Sequence, residues 1–178
     1  MISTHPGRVA VLATALLLLL AGCGDVSDGP APATTSAIAD RQKEVAEQGA
    51  AVMPFDLERT THRFAKTGSG GIQTVVADDP GDATQRGLIR EHLRHEAEQF
   101  RQGRFTDPAR IHGQEMPGLA ALRDSAGRIE VVYADTPDGA RITYSTGEGR
   151  LVTALHAWFD AQLSDHGGHA TAEPTPAG

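Results

Sequence analysis

The chain reads as an α+β domain: a four-stranded antiparallel sheet with two helices on one face, in the order ββαββα. Three observations predict it. Two pairs of short alternating segments are each closed by a glycine-bearing turn. Each pair is followed by an acidic, glycine-centred cap, and each cap by a long amphipathic segment.

In the first half, residues 60–65 place Thr60, His62 and Phe64 on one side and Thr61, Arg63 and Ala65 on the other, the period of a half-buried strand. Gly68-Ser69-Gly70-Gly71 forms a turn and residues 72–77 a second strand. Asp79-Pro80-Gly81-Asp82 offers an N-cap acid, a proline at the first helical position and a further acid near the start. The helix is expected over residues 83–102, stopping at Gly103.

The second half repeats the plan. Residues 128–134 bury Ile129, Val131 and Tyr133 and turn Glu130 and Val132 outward. Pro137-Asp138-Gly139 is a hairpin turn, and residues 140–144 point Ala140, Ile142 and Tyr144 inward. Ser145-Thr146-Gly147-Glu148 has capping-box spacing ahead of a helix over residues 149–163. An internal duplication and a common ββα grammar without duplication both account for the repeat. Residues 104–127 connect the halves, with Met116-Pro117 opening a short helix through Leu122.

The ends differ in character. Residues 1–22 hold Arg8 and an apolar run from Val9 to Leu20, too short to span a bilayer and of signal-peptide length. Leu20-Ala21-Gly22-Cys23 closes that run with the only cysteine in the chain. This resembles the lipobox of bacterial lipoproteins, which implies diacylation of Cys23, removal of residues 1–22 and a lipid-anchored, extracytoplasmic protein. One acyl chain anchors marginally, whereas two plus amide acylation anchor stably. Residues 23–51 read as the lipidated cysteine and a flexible tether, since the stretch from Gly24 to Ala39 has almost no large apolar side chain. Residues 40–51 also admit a short polar helix. Residues 52–169 form one domain, and residues 170–178, with Pro174 and Pro176, a disordered tail.

The formal charge of -7 becomes one unit more acidic once Arg8 is removed. Such a protein gains nothing from phosphate neutralisation, so nucleic acid is excluded as a partner. With Cys23 lipidated, no thiol remains for an intramolecular disulfide, and the fold must hold by its core.

Of the eight histidines, seven follow Cys23, at positions 62, 92, 95, 112, 156, 166 and 169. A metal site in this chain would rest on imidazole, which suits zinc or copper, and a thioether from Met53 or Met116 would favour copper. On the first long helix Ile89, Leu93, Ala97 and Phe100 define the core direction; His92 flanks it with Glu96 one turn on, and His95 faces solvent. On the second, His156 flanks the core stripe with Asp160 one turn on. Each pair reads as a ligand with its orienting carboxylate or as an ordinary helix-stabilising pair. The two flanks are opposite, so both histidines meet one groove only if the helices run parallel. His62 points inward beside Phe64. His112 and Met116 are also the types of a haem axial pair, but no Cys-x-x-Cys-His accompanies them. In Asp165-His166-Gly167-Gly168-His169 the histidines suit a helix C-terminus or a weak metal site.

Catalytic templates are lacking. The sequence has no His-Glu-x-x-His, no Gly-x-Ser-x-Gly and no glycine loop at a strand–helix junction, so an enzyme is unsupported.

Met53-Pro54-Phe55-Asp56-Leu57 with Thr61-His62, Ile111-His112-Gly113 with Met116-Pro117-Gly118-Leu119, and His156-Ala157-Trp158-Phe159-Asp160-Ala161-Gln162 with Asp165-His166-Gly167 together resemble a family of small bacterial proteins of unknown function. The resemblance spans residues 52–169. Some members carry the label aspartate carbamoyltransferase, an activity that implies two α/β domains and a Ser-Thr-Arg-Thr-Arg-like loop; this chain has neither. The resemblance supplies no catalytic residue, but it places His62, His112, Met116, His156 and His166 inside the shared strings.

These readings converge on a membrane-anchored binding lipoprotein whose ligand is a transition metal, copper or zinc, held by a subset of His62, His112, Met116, His156 and His166. The alternative is a non-metal interaction module for a cell-envelope protein. It would use the open sheet face with Glu130, Val132, Arg141 and Thr143, or a free sheet edge.

Overall fold

The computed structural model describes residues 35–174 together with Met1. Residues 2–34, on which the expected signal peptide, Cys23 and the first part of the expected tether fall, lie outside the described residues, as do residues 175–178.

The chain folds as α+β around one mixed sheet. Strands β1 (Thr60–Thr67), β2 (Gly70–Ala77), β3 (Glu130–Asp135), β4 (Gly139–Ser145) and β5 (Ala170–Glu173) stand in the order β3-β4-β2-β1-β5. The first four are antiparallel neighbours; β5 runs parallel to β1, with His62 opposite Ala170. The sheet thus has five strands and is mixed, which corrects the four-stranded antiparallel expectation. Ala170-Thr171-Ala172-Glu173 has neither large apolar residues nor a buried face, so periodicity could not announce it. Its pairing comes instead from Gly167, whose φ of +53° turns the chain out of the last helix and back to the β1 edge.

Five helices complete the fold: α1 (Thr35–Val52), α2 (Ala83–Arg101), α3 (Thr106–His112), α4 (Leu119–Arg123) and α5 (Gly149–His166). Helices α2 and α5 pack on the sheet face that carries Phe64, Val75, Ala140, Ile142 and Tyr144, all at most 2 % exposed. Each crosses to the other half's strands: α2 lies against β3 and β4, α5 against β1, β2 and β5. Phe100, Phe105, Tyr144, Trp158 and Phe159 form a continuous aromatic cluster, with Phe100 and Phe105 stacked at 4.5 Å. The opposite face carries Glu130, Val132, Arg141 and Thr143, with Val132 46 % exposed.

Local signals set the helix starts with small shifts. Asp82, rather than Asp79, caps α2 by accepting from the Gln85 N–H, while Asp79 accepts from Gly81 and shapes the preceding turn. Before α5 the Ser145 hydroxyl binds Glu130, and it is Thr146 that accepts from the Glu148 N–H, so the capping box does not form. Helix α3 ends at His112 because Gly113 takes φ +87°, beyond a regular helix.

Helix α1 occupies most of the stretch assigned to the tether. Only Val45 and Gly49 are buried along it. It is held by polar contacts, with Arg41 on Asp165 and Gln42 Nε2 donating to the Ser164 carbonyl. A segment fixed this way has no wide apolar stripe to read in sequence. No helix among the described residues is long and apolar enough to cross a membrane.

Gly118 opens α4 at φ +79°, and a Cβ there would stand 2.1 Å from the Ala154 carbonyl oxygen of α5. Gly118→Ala should therefore lose roughly 2–5 kcal/mol, from left-handed strain plus overpacking. Urea unfolding of the variant checks this; a loss below about 1 kcal/mol would mean that α4 shifts freely off α5.

Candidate functional site

One buried cavity of about 30 Å³ lies where α2, α3 and α5 meet β1, room for about two water molecules. Its lining includes His62, His92, His112 and His166, together with Glu96, Met53, Gln73, Gln162 and Trp158. Five short-range decisions in the chain place these groups. Strand alternation turns His62 inward with Phe64. The 3.6-residue period puts His92 and Glu96 on one face of α2. His112 and His166 are the last residues of α3 and α5, and Met53 follows directly on α1.

Three imidazoles from three elements touch. His62 and His166 stack with centroids 4.9 Å apart and planes 10° off parallel. His112 meets His166 edge to face, also at 4.9 Å, with the rings 80° apart. His112 Nδ1 lies 2.9 Å from Asp165 Oδ2. Arg41 Nη2 donates to the same oxygen at 2.8 Å and to the His112 carbonyl at 2.6 Å. Burial would raise the Asp165 pKa, but hydrogen bonds from His112 and Arg41 outweigh it and hold the carboxyl below its usual range. An ionised carboxylate only accepts, so Nδ1 of His112 donates and its lone pair is left on Nε2.

Gln73 Oε1 accepts from the Tyr144 hydroxyl, but other polar atoms of the lining lack partners. His62 Nδ1, Trp158 Nε1 and Gln162 Oε1 are buried with no hydrogen-bond partner. Burial, aided by His92, His112 and His169, lowers the His62 pKa to about 4. Burial likewise carries His166 well below the ordinary histidine value, and His92 below it. Near neutrality these imidazoles are uncharged and present free lone pairs, the state in which histidine ligates metals.

A second group stands on the α2 side. One ligand atom each of His92, Glu96 and Asp107 lies within 4.8 Å of the others, the only such set of three or more metal-ligating side chains among the described residues. Glu96 is 7 % exposed, and burial plus the Asp107 charge push its pKa up to about 8.

The five histidines and methionines singled out in sequence divide. His62, His112 and His166 line the cavity. Met116 does not; it is 6 % exposed and packs in the apolar core. His156 does not either: its Nε2 lies 2.9 Å from the Gly70 carbonyl and 3.0 Å from that of Thr67, and one N–H shared between them clamps the β1–β2 turn. Asp160 bonds Lys66 at 2.5 Å rather than orienting His156. His92 and His156 thus face different parts of the fold. Of the residues that line or flank the cavity, sequence reading paired His92 with Glu96 but had no reason to prefer them. Met53 and Asp107 carried no periodic signal, because each sits at a helix boundary.

No protein-family model, curated protein or solved structure matches this chain.

Stability against pH follows from the shifts. His62 falls from 6.5 to about 4, so within that window the unfolded chain binds a proton that the folded chain refuses, and stability drops as pH falls. Glu96 rises from 4.5 to about 8, so its contribution is complete below 4.5 and is lost as pH rises towards 8. His62 and Glu96 alone would offset each other between pH 4.5 and 6.5; the lowered His166 adds a second rising limb, so in chelator-treated protein urea midpoints should peak near pH 6.5 and decline towards 8. The decline is at most about 1.4 kcal/mol per pH unit. Glu96→Gln should flatten the alkaline decline and leave the acid limb; an unchanged profile would show that Glu96 ionises normally.

Proposed function

We propose that this protein is a lipid-anchored, extracytoplasmic binder of a transition-metal ion, of the copper or zinc class, held by His62, His112 and His166. The observation that carries the reading is the meeting of these three imidazoles, from β1, α3 and α5, around one buried cavity. Two features support it. Asp165 fixes the tautomer of His112 through Nδ1, the arrangement that orients a metal-ligating histidine from behind. Met53 adds a thioether to the same lining, a donor that suits copper. The planes of His62 and His166 are nearly parallel, so their in-plane lone pairs run side by side. Joint ligation needs one ring to turn about its Cβ–Cγ bond.

The anchoring part rests on Leu20-Ala21-Gly22-Cys23. Cys23→Ser should move the protein out of the membrane fraction and abolish incorporation of labelled palmitate. Retention of both label and membrane association would remove the lipoprotein reading.

The metal part is tested by calorimetric titration of copper(II) and zinc(II) into the full-length protein in detergent, without a histidine tag. One ion per chain, bound tighter than about 1 μM, is expected. His166→Gln should abolish that site, and Asp165→Asn should weaken it about 10–100-fold. His156→Ala should leave affinity unchanged while lowering stability by about 1 kcal/mol, the worth of the clamp on the hairpin. Weak binding at several sites, indifferent to His166, would refute the proposal.

A further inference from the structure

The α2 side of the cavity has a chemistry of its own. His92 and Glu96 are one turn apart on α2, and Asp107 begins the second residue of α3. Their ligand atoms lie within 4.8 Å of one another, close enough for one ion to touch all three. Two carboxyl groups at such separation repel unless a proton or a cation lies between them. Arg110 Nη1 pairs with Asp107 Oδ1 at 4.0 Å, the limit of an ion pair, and no described residue makes an ion pair with Glu96.

Glu96 gives the independent observation. It is more than nine-tenths buried, at 7 % exposure, and lines the cavity. No hydrogen bond or ion pair from any described residue engages its carboxyl. With no protein partner at the cavity, only water or a cation can offset the hydration that its carboxyl loses on burial. His92 is equally free of hydrogen-bond partners among the described residues; its ring only meets the edge of Phe55, at 5.7 Å.

We infer that His92, Glu96 and Asp107 form a second cation site, distinct in donor chemistry from the histidine wall and selective for an oxygen-preferring divalent ion such as manganese(II). One imidazole with two carboxylates is a harder set than three imidazoles with a thioether, so the two sites sort metals by ligand type. The inference does not rest on the histidine wall binding copper or zinc. Either site can fail without the other.

The test is manganese(II) titration of the full-length, chelator-treated protein in detergent, followed by the electron paramagnetic resonance signal of the free aquo ion. One manganese per chain is expected. Glu96→Gln and Asp107→Asn should each weaken its binding at least about tenfold, while His156→Ala leaves it unchanged. Asp107 is half-buried and at the edge of a short helix, so Asp107→Asn keeps the test sound if Glu96→Gln perturbs packing. Absence of saturable manganese binding would overturn the inference, as would binding that survives both substitutions.

Discussion

Asp165 is the group on which the site depends, because it joins side chains from three helices. It receives Arg41 from α1 and His112 from α3 while sitting in the last turn of α5. The Asp165 side chain is 15 % exposed and that of Arg41 34 %, so the pair is neither a free surface bridge nor a fully desolvated one. Its Coulomb energy is correspondingly modest. Its geometric effect is larger. The guanidinium also binds the His112 carbonyl, so one side chain fixes both backbone and imidazole of the residue that ends α3. Without that clasp α1 would keep only the Gln42 bond to the Ser164 carbonyl and a thin contact around Val45 and Gly49.

The rest of the fold supplies rigidity. Trp158 is fully buried and presents one edge of its ring system to the aromatic cluster and its Nε1 to no partner. Cores of this kind transmit little motion, since close-packed side chains have few alternative arrangements. The polar cavity thus abuts a stiff apolar wall, and the low dielectric on that side is what keeps the imidazoles neutral and Glu96 protonated near neutrality. For the imidazoles this is what a metal-binding cavity needs, donors that do not have to shed a proton and a frame that does not collapse onto them; Glu96 must give up its proton to bind a cation.

Much of this architecture was legible in the residues. Both hairpins, α2 and α5 announced themselves because each has one buried face and one wet one, which writes a period into the chain. Strand β5 and helix α1 did not, since Ala-Thr-Ala-Glu and the stretch around Arg41 are placed by pairing and salt bridges rather than by apolar burial. The same reason separates the histidines. His62 was readable as inward-facing from its strand. That His112 and His166 would reach it depended on Gly113 and Gly167 breaking their helices at those residues, with φ of +87° and +53°. His156 carried the same local signal as His92, a flank position with a carboxylate one turn on, and only the packing of α5 against the β1–β2 turn tells them apart.

That contrast is also the strongest internal argument for function. A buried histidine kept for architecture finds partners for its ring nitrogens, as buried polar groups in native proteins do. The half-buried His156 shows how this chain does so, with one N–H between two hairpin carbonyls. His62 has a buried nitrogen with nothing to bond; His166 and the half-buried His92 make no hydrogen bond to any described residue. All three line the cavity that Glu96 also lines. Side chains left without a protein partner, as at His62 Nδ1, are an expensive way to build a core. They are an economical way to hold a cation, because each lone pair left free by the protein is one that a metal can use.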